Sequence, residues 1–69
     1  MENKDYYKTK RTFEVVATTN KNVIKGKEYD MYMNDASIIG IFDETGRFIP
    51  QGKLPENGIL GIINFGRGK

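Results

Sequence analysis

Residues 28–34 read EYDMYMN, and their alternation is the feature that most limits what this chain can become. Tyr29, Met31 and Met33 fall on one side of an extended backbone, while Glu28, Asp30, Tyr32 and Asn34 fall on the other. A period of two with one apolar and one acidic side is a strand with one face in a core and one in water. The period recurs in TFEVVATT (12–19), where Phe13, Val15 and Ala17 oppose Glu14, Val16 and Thr18. SIIGIFD (37–43) and GILGIINF (58–65) are apolar on both sides, and RFI (47–49) is a short return strand that Pro50 ends. Nowhere does an apolar period of 3.6 persist. The apolar residues are also of the strand-favouring kind, with eight Ile, four Phe, four Tyr and three Val against two Leu and two Ala.

Turn chemistry punctuates these segments. NKN (20–22), NDAS (34–37) and DETG (43–46) are clusters of turn residues. DETG reads as a type I turn, with Gly46 available for the left-handed position of a bulged hairpin. Gly40, in the middle of its strand, points to a bulge or a sharp bend. QGKLPEN (51–57) is too short and too rich in Gly and Pro for an α-helix, and one 3₁₀ turn is expected there. The expected fold class is therefore all-β, a small five-stranded, strongly bent barrel over residues 12–65. Residues 1–11 are expected to be a flexible basic arm, or an edge strand that orders only on contact, and residues 66–69 a basic tail.

Sixty-nine residues make one domain that buries only about 60% of the surface its unfolded chain exposes, so the core must be thin. With no Cys, neither a disulfide nor a thiolate metal site can reinforce it, and with no His the usual zinc ligand and general base are both missing. Self-association or a partner is one way to compensate. The polar start MENKDYYKTKR has no apolar stretch behind it, so no signal peptide is expected. No run approaches the roughly 20 apolar residues of a membrane span. These features, and the lack of Cys, fit a cytoplasmic location.

The net charge of +2 is unevenly spread. Residues 1–27 carry seven basic and three acidic groups (+4), residues 28–44 five acidic and no basic (−5), and residues 45–69 four basic and one acidic (+3). Such charges are either solvated strand faces and turns or a dipolar surface for a charged partner.

In order of features the chain resembles an SH3-like barrel. VIKGKEYDMY matches the Gly turn and second strand of such domains, and GRFIPQGKL the end of their hairpin, where Gly, a hydrophobic residue and Pro lead into a 3₁₀ turn and the last strand. The Gly-Lys-x-Tyr strand followed by an Asp-x-x-Gly hairpin also resembles small uncharacterised phage-encoded proteins of low-GC bacteria. The resemblance implies the fold over residues 12–65 but not proline-rich peptide binding. That activity needs an aromatic-lined groove. This chain has no Trp, no Tyr pair in the loop after Thr19, and Gln51-Gly52 after Pro50.

Catalytic chemistry finds no support. The only Ser, Ser37, lies in a turn with no His to activate it. The carboxylate pairs Glu28/Asp30 and Asp43/Glu44 are most simply solubilising surface groups. No segment has the ligand spacing of a calcium loop or the Gly-Lys-Ser/Thr spacing of a phosphate loop. The glycines of GILGIINFGRG are better explained by close approach of neighbouring backbones. A non-enzymatic protein without cofactor or metal is expected.

Three binding readings follow. The surplus of apolar strand faces points to a protein-binding module that modulates or inhibits a host protein, through Tyr32, Ile38, Phe42, Arg47, Phe48, Lys53 and Ile62, with a homodimer as an allied arrangement. The opposing explanation is that Tyr6 and Tyr7 cover those faces within the chain. Nucleic-acid binding would use Tyr6, Tyr7, Lys8, Lys10, Arg11 and Arg67, with Tyr32 and Phe65 as further stacking groups, against an acidic centre and a modest net charge. The acidic segment would alternatively mimic nucleic acid, blocking a DNA-binding protein. No membrane partner is expected.

Overall fold

The computed structural model describes residues 5–65. It is all-β, with β1 (Tyr6–Thr18), β2 (Glu28–Asn34), β3 (Ile39–Phe42), β4 (Phe48–Pro50) and β5 (Ile59–Phe65) in one antiparallel sheet of order β4-β3-β2-β1-β5. Two successive 3₁₀ turns, Gln51–Lys53 and Pro55–Asn57, carry the chain from β4 to β5, one more than expected. The expected barrel is not closed: β4 and β5 form the two edges of the sheet and do not pair with each other. With only three residues in β4, and Pro50 among them lacking an N–H, that edge has little to offer β5.

The expectation of an arm over residues 1–11 is corrected for Tyr6–Arg11, which form the first half of β1. Tyr6, Tyr7 and Lys8 pair with Asn34, Met33 and Tyr32 of β2. Between Lys8↔Tyr32 and Thr12↔Asp30 the register shifts, with four steps along β1 against two along β2. Thr9 fills the gap, since its hydroxyl donates to the Met31 carbonyl (2.8 Å) and accepts from the Arg11 N–H (3.0 Å). A side chain thus replaces lost ladder bonds, which lets one long strand bend and serve two halves of the sheet. Residues 1–4 and 66–69, including Arg67, lie outside the described residues.

Phe13, Val15, Tyr29, Met31, Ile41, Ile49 and Ile59 point from all five strands into a single core, joined by Val23 from the β1–β2 loop and Leu54 from between the 3₁₀ turns. Met31 and Ile41 are fully enclosed, at 0% exposure. Ala17, expected inward, is exposed, because a second register shift between Val15 and Ala17 reverses the alternation there. Two glycines permit close strand approach. A side chain at Gly40 would strike the Ile49 backbone, and one at Gly61 the Glu14 carbonyl and the Phe13 ring. Gly46 has φ +89°, the left-handed turn residue that the hairpin required.

Candidate functional site

The outward side of the β1–β4 half is aromatic. Cross-strand partners share a face, so the pairs Tyr6↔Asn34, Tyr32↔Gly40 and Phe42↔Phe48 set these residues on the side away from Met31 and Ile41. The Tyr6 ring lies 5.1 Å from Phe42 and 4.8 Å from Phe48, while Phe42 lies 5.1 Å from Tyr32 and 5.4 Å from Phe48. Edge-to-face and tilted contacts of this length satisfy the ring quadrupoles. All four rings are half-buried, so Tyr6 does cover much of the second face of β3, whereas Tyr7 stays 55% exposed. Three of the residues expected to bind a partner, Tyr32, Phe42 and Phe48, therefore come together here with Tyr6. Arg47 is exposed beside Phe48, and Ile38 is exposed in the turn leading to β3.

The acidic segment is largely occupied within the chain. Asp43 is buried, and its Oδ1 accepts from the Thr45 N–H (2.9 Å), the Thr45 hydroxyl (2.6 Å) and the Arg47 N–H (3.0 Å). Burial pushes its pKa up, but these hydrogen bonds and the Arg47 charge outweigh burial and hold it below the ordinary value. Glu44 Oε2 accepts from Lys27 Nζ and from the Tyr29 hydroxyl, both at 2.6 Å. Lys27, then Tyr29, lowers the Glu44 pKa, and the bond to Glu44 raises that of Lys27. Burial, reinforced by the same carboxylate, raises that of Tyr29, whose oxygen also accepts the Ile24 N–H (2.9 Å). This latch ties the β1–β2 loop to the β3–β4 hairpin. Asp30 pairs with Lys8 at 3.6 Å, and Glu28 accepts from Thr12 and from Asn64 (3.2 Å).

The outward side of β5 is different in kind. Ile62 and Leu60 lie opposite Glu14 and Ala17 of β1 and are 53% and 57% exposed, with exposed Val16 in the bulge beside them. At the free edge of β5 an apolar cleft of about 430 Å³ opens between the strand and the 3₁₀ segment, lined by Phe13, Gln51, Leu54, Pro55 and residues 59–63. A second hollow of about 250 Å³, bounded by Ala17, Thr18, Thr19, Pro55, Gly58 and Leu60, continues it. Leu60 and Pro55 line both. Neither these two residues nor Leu54 and Val16 were singled out from sequence, although the two-sided apolarity of GILGIINF was the available signal for Leu60. Ile62 thus stands apart from Tyr32, Phe42 and Phe48. Lys53, on the first 3₁₀ turn, lies 3.7 Å from Glu56.

Of the residues proposed for nucleic acid, Lys8 is engaged with Asp30, Lys10 is exposed, and the Arg11 guanidinium stands 5.2 Å over the Phe65 ring. Among the described residues no group of three or more His, Cys, Asp or Glu is placed to hold a metal ion, and no helix is long and apolar enough to cross a membrane. No protein-family model, curated protein or solved structure matches the chain.

Proposed function

We propose that this chain is a non-enzymatic protein-binding module on an SH3-like, open five-stranded scaffold, of the kind small phage proteins use to modulate or inhibit a host protein in the cytoplasm. One observation carries the reading: the outward face of β5, with Leu60 and Ile62 more than half exposed, lies beside an apolar cleft and nothing in the described chain covers it. Contiguous apolar surface of this sort marks an interface in a soluble domain. The aromatic face around Phe42 is a second, more self-contained contact surface, with Arg47 and Ile38 at its rim.

Capture from bacterial lysate with the wild-type chain and with Leu60→Asp, each after nuclease treatment, tests the proposal. A protein retained by the wild type and lost with the variant supports it. Equal retention by both moves the interface away from β5.

Nucleic-acid binding remains the second reading, favoured by Arg11 stacked over exposed Phe65 next to Lys10. Glu14, Glu28 and Asp30 line the outward side of the sheet, and Arg11 and Phe65 face the other way, so the basic and aromatic groups form no continuous face for a phosphate backbone. Titration of labelled single- and double-stranded DNA at low salt decides, because binding through phosphates is strongest there.

A further inference from the structure

The two edges of the sheet are built to opposite rules. The β4 edge is three residues long and carries Pro50. The β5 edge runs for seven residues, ILGIINF, without a charge, a proline or a bulge of its own. Natural edges of that length are normally blunted by one of those devices.

The Ile59 N–H donates away from β1, to the Leu54 carbonyl at 2.9 Å. Antiparallel ladders alternate, so the N–H and C=O groups of Gly61 and Ile63 also face away from β1, along the cleft. Each unsatisfied backbone group there offers a ladder bond to an incoming strand.

We infer that the β5 edge pairs antiparallel with the β5 edge of a second copy, about a twofold axis at Ile62. This deepens the reading of β5 as an interaction element, and it rests on that reading. In the proposed register Gly61 lies opposite Ile63 of the other copy and the reverse, so both pairs exchange N–H···O=C bonds. Ile62 meets its own equivalent on the outward side, and Leu60 meets Asn64. Several observations select a second copy as the occupant. The segment is uncharged, so antiparallel self-pairing sets no like charges opposite one another even though the chain as a whole is basic. An isologous contact also closes on itself and consumes the edge, rather than leaving a new one to propagate. With the Ile59 N–H already held by Leu54, five residues pair, 60–64, about 17 Å of strand covering on the order of 350 Å² per copy, the size of a weak, transient contact. Area does not fix affinity, so the dissociation constant is what sedimentation measures. The two outward faces then join into one apolar stripe centred on the twofold, doubling the surface offered to a larger partner.

Sedimentation of the purified chain tests this without any host protein, so it can fail independently of the lysate experiment. The wild type is expected to pass from monomer to dimer as concentration rises. Ile62→Lys and Ile62→Glu, at an exposed position, are each expected to fold, as read by circular dichroism, and to raise the dissociation constant at least about 100-fold by placing like charges at the axis. An equimolar mixture of the two variants is expected to restore the dimer, which a misfolded or merely solubilised pair would not do. A wild type that stays monomeric to about 1 mM overturns the inference and leaves the edge to a strand from a different protein. Variants that dimerise unchanged, or a mixture that stays monomeric, overturn the register about Ile62.

Discussion

Strand β3 turns Phe42 outward and β5 turns Ile62 outward, and the two side chains meet different surroundings. Phe42 is packed by three rings, one of them Tyr6 from the early half of β1. Ile62 lies opposite Glu14 and is half exposed. The difference comes from β1, which is long enough to serve both halves but carries its aromatic cover, Tyr6, before the bulge at Thr9–Arg11, while β5 pairs with the part after it. Two equally apolar strands thus end as a stabilised face and an available one.

Both halves rest on a glycine that lets strands close in, and replacing either is the harshest way to break the comparison. A β-carbon at Gly61 would meet the Glu14 carbonyl and the Phe13 ring, so β5 would have to lift from β1. Gly61→Ala is expected to cost about 3 kcal/mol, lowering Tm by roughly 15 °C or more in a domain of this size. Gly40→Ala, against the Ile49 backbone, is expected to cost a similar amount. A Tm within a few degrees of wild type for Gly61→Ala would mean that β5 is held more loosely than described.

Removing the cover tests the covered face. Tyr6→Ala deletes two ring contacts, at 4.8 and 5.1 Å, and frees the outward sides of Phe42 and Phe48. The expected loss is about 2 kcal/mol, or roughly 10 °C in Tm by thermal unfolding. A silent Tyr6→Ala would make the aromatic face as unsupported as that of β5 and would remove the distinction.

How much of this could be read from the residues themselves differs between the halves. The alternation of Tyr29 and Met31 and the turn at Gly46 were legible, because period and turn type are local properties. The pairing of Tyr6–Lys8 was not. A polar, Tyr-bearing segment has no apolar period, and its strand state depends on β2 residues 24 to 28 positions away. Ala17 was misplaced because a bulge shifts the alternation by one residue without leaving a mark in composition. Val23 and Leu54 enter the core from irregular segments, where no period exists to reveal them. The apolar surplus on β3 and β5 was plain, but which surplus would be covered depended on the path of β1.

The hairpin adds a smaller, pH-dependent contrast that belongs to the β3–β4 side alone. Asp43 has a folded pKa below its unfolded value near 4, so its contribution is complete above that value. As pH falls, the unfolded chain takes up the proton first. The contribution is then lost progressively until pH passes the folded pKa. Wild-type Tm is expected to fall as pH drops below about 5, and Asp43→Asn to flatten that slope. Parallel slopes for the two chains would show that the Asp43 hydrogen bonds are equally available to its protonated form.

The smallest expected effect is the most discriminating. Ile62→Ser exchanges one half-exposed side chain on the open face for a smaller polar one. Because more than half of Ile62 already faces solvent, its stability at low protein concentration should stay within about 0.5 kcal/mol of wild type. A drop as large as that of Tyr6→Ala would assign Ile62 to the support of the fold and end the contrast with Phe42. At high concentration the two chains should part, because an association that exists only in the folded state raises Tm with concentration. Wild-type Tm is then expected to climb with protein concentration, while that of Ile62→Ser stays flatter, which separates a face reserved for contact from one that is simply tolerated.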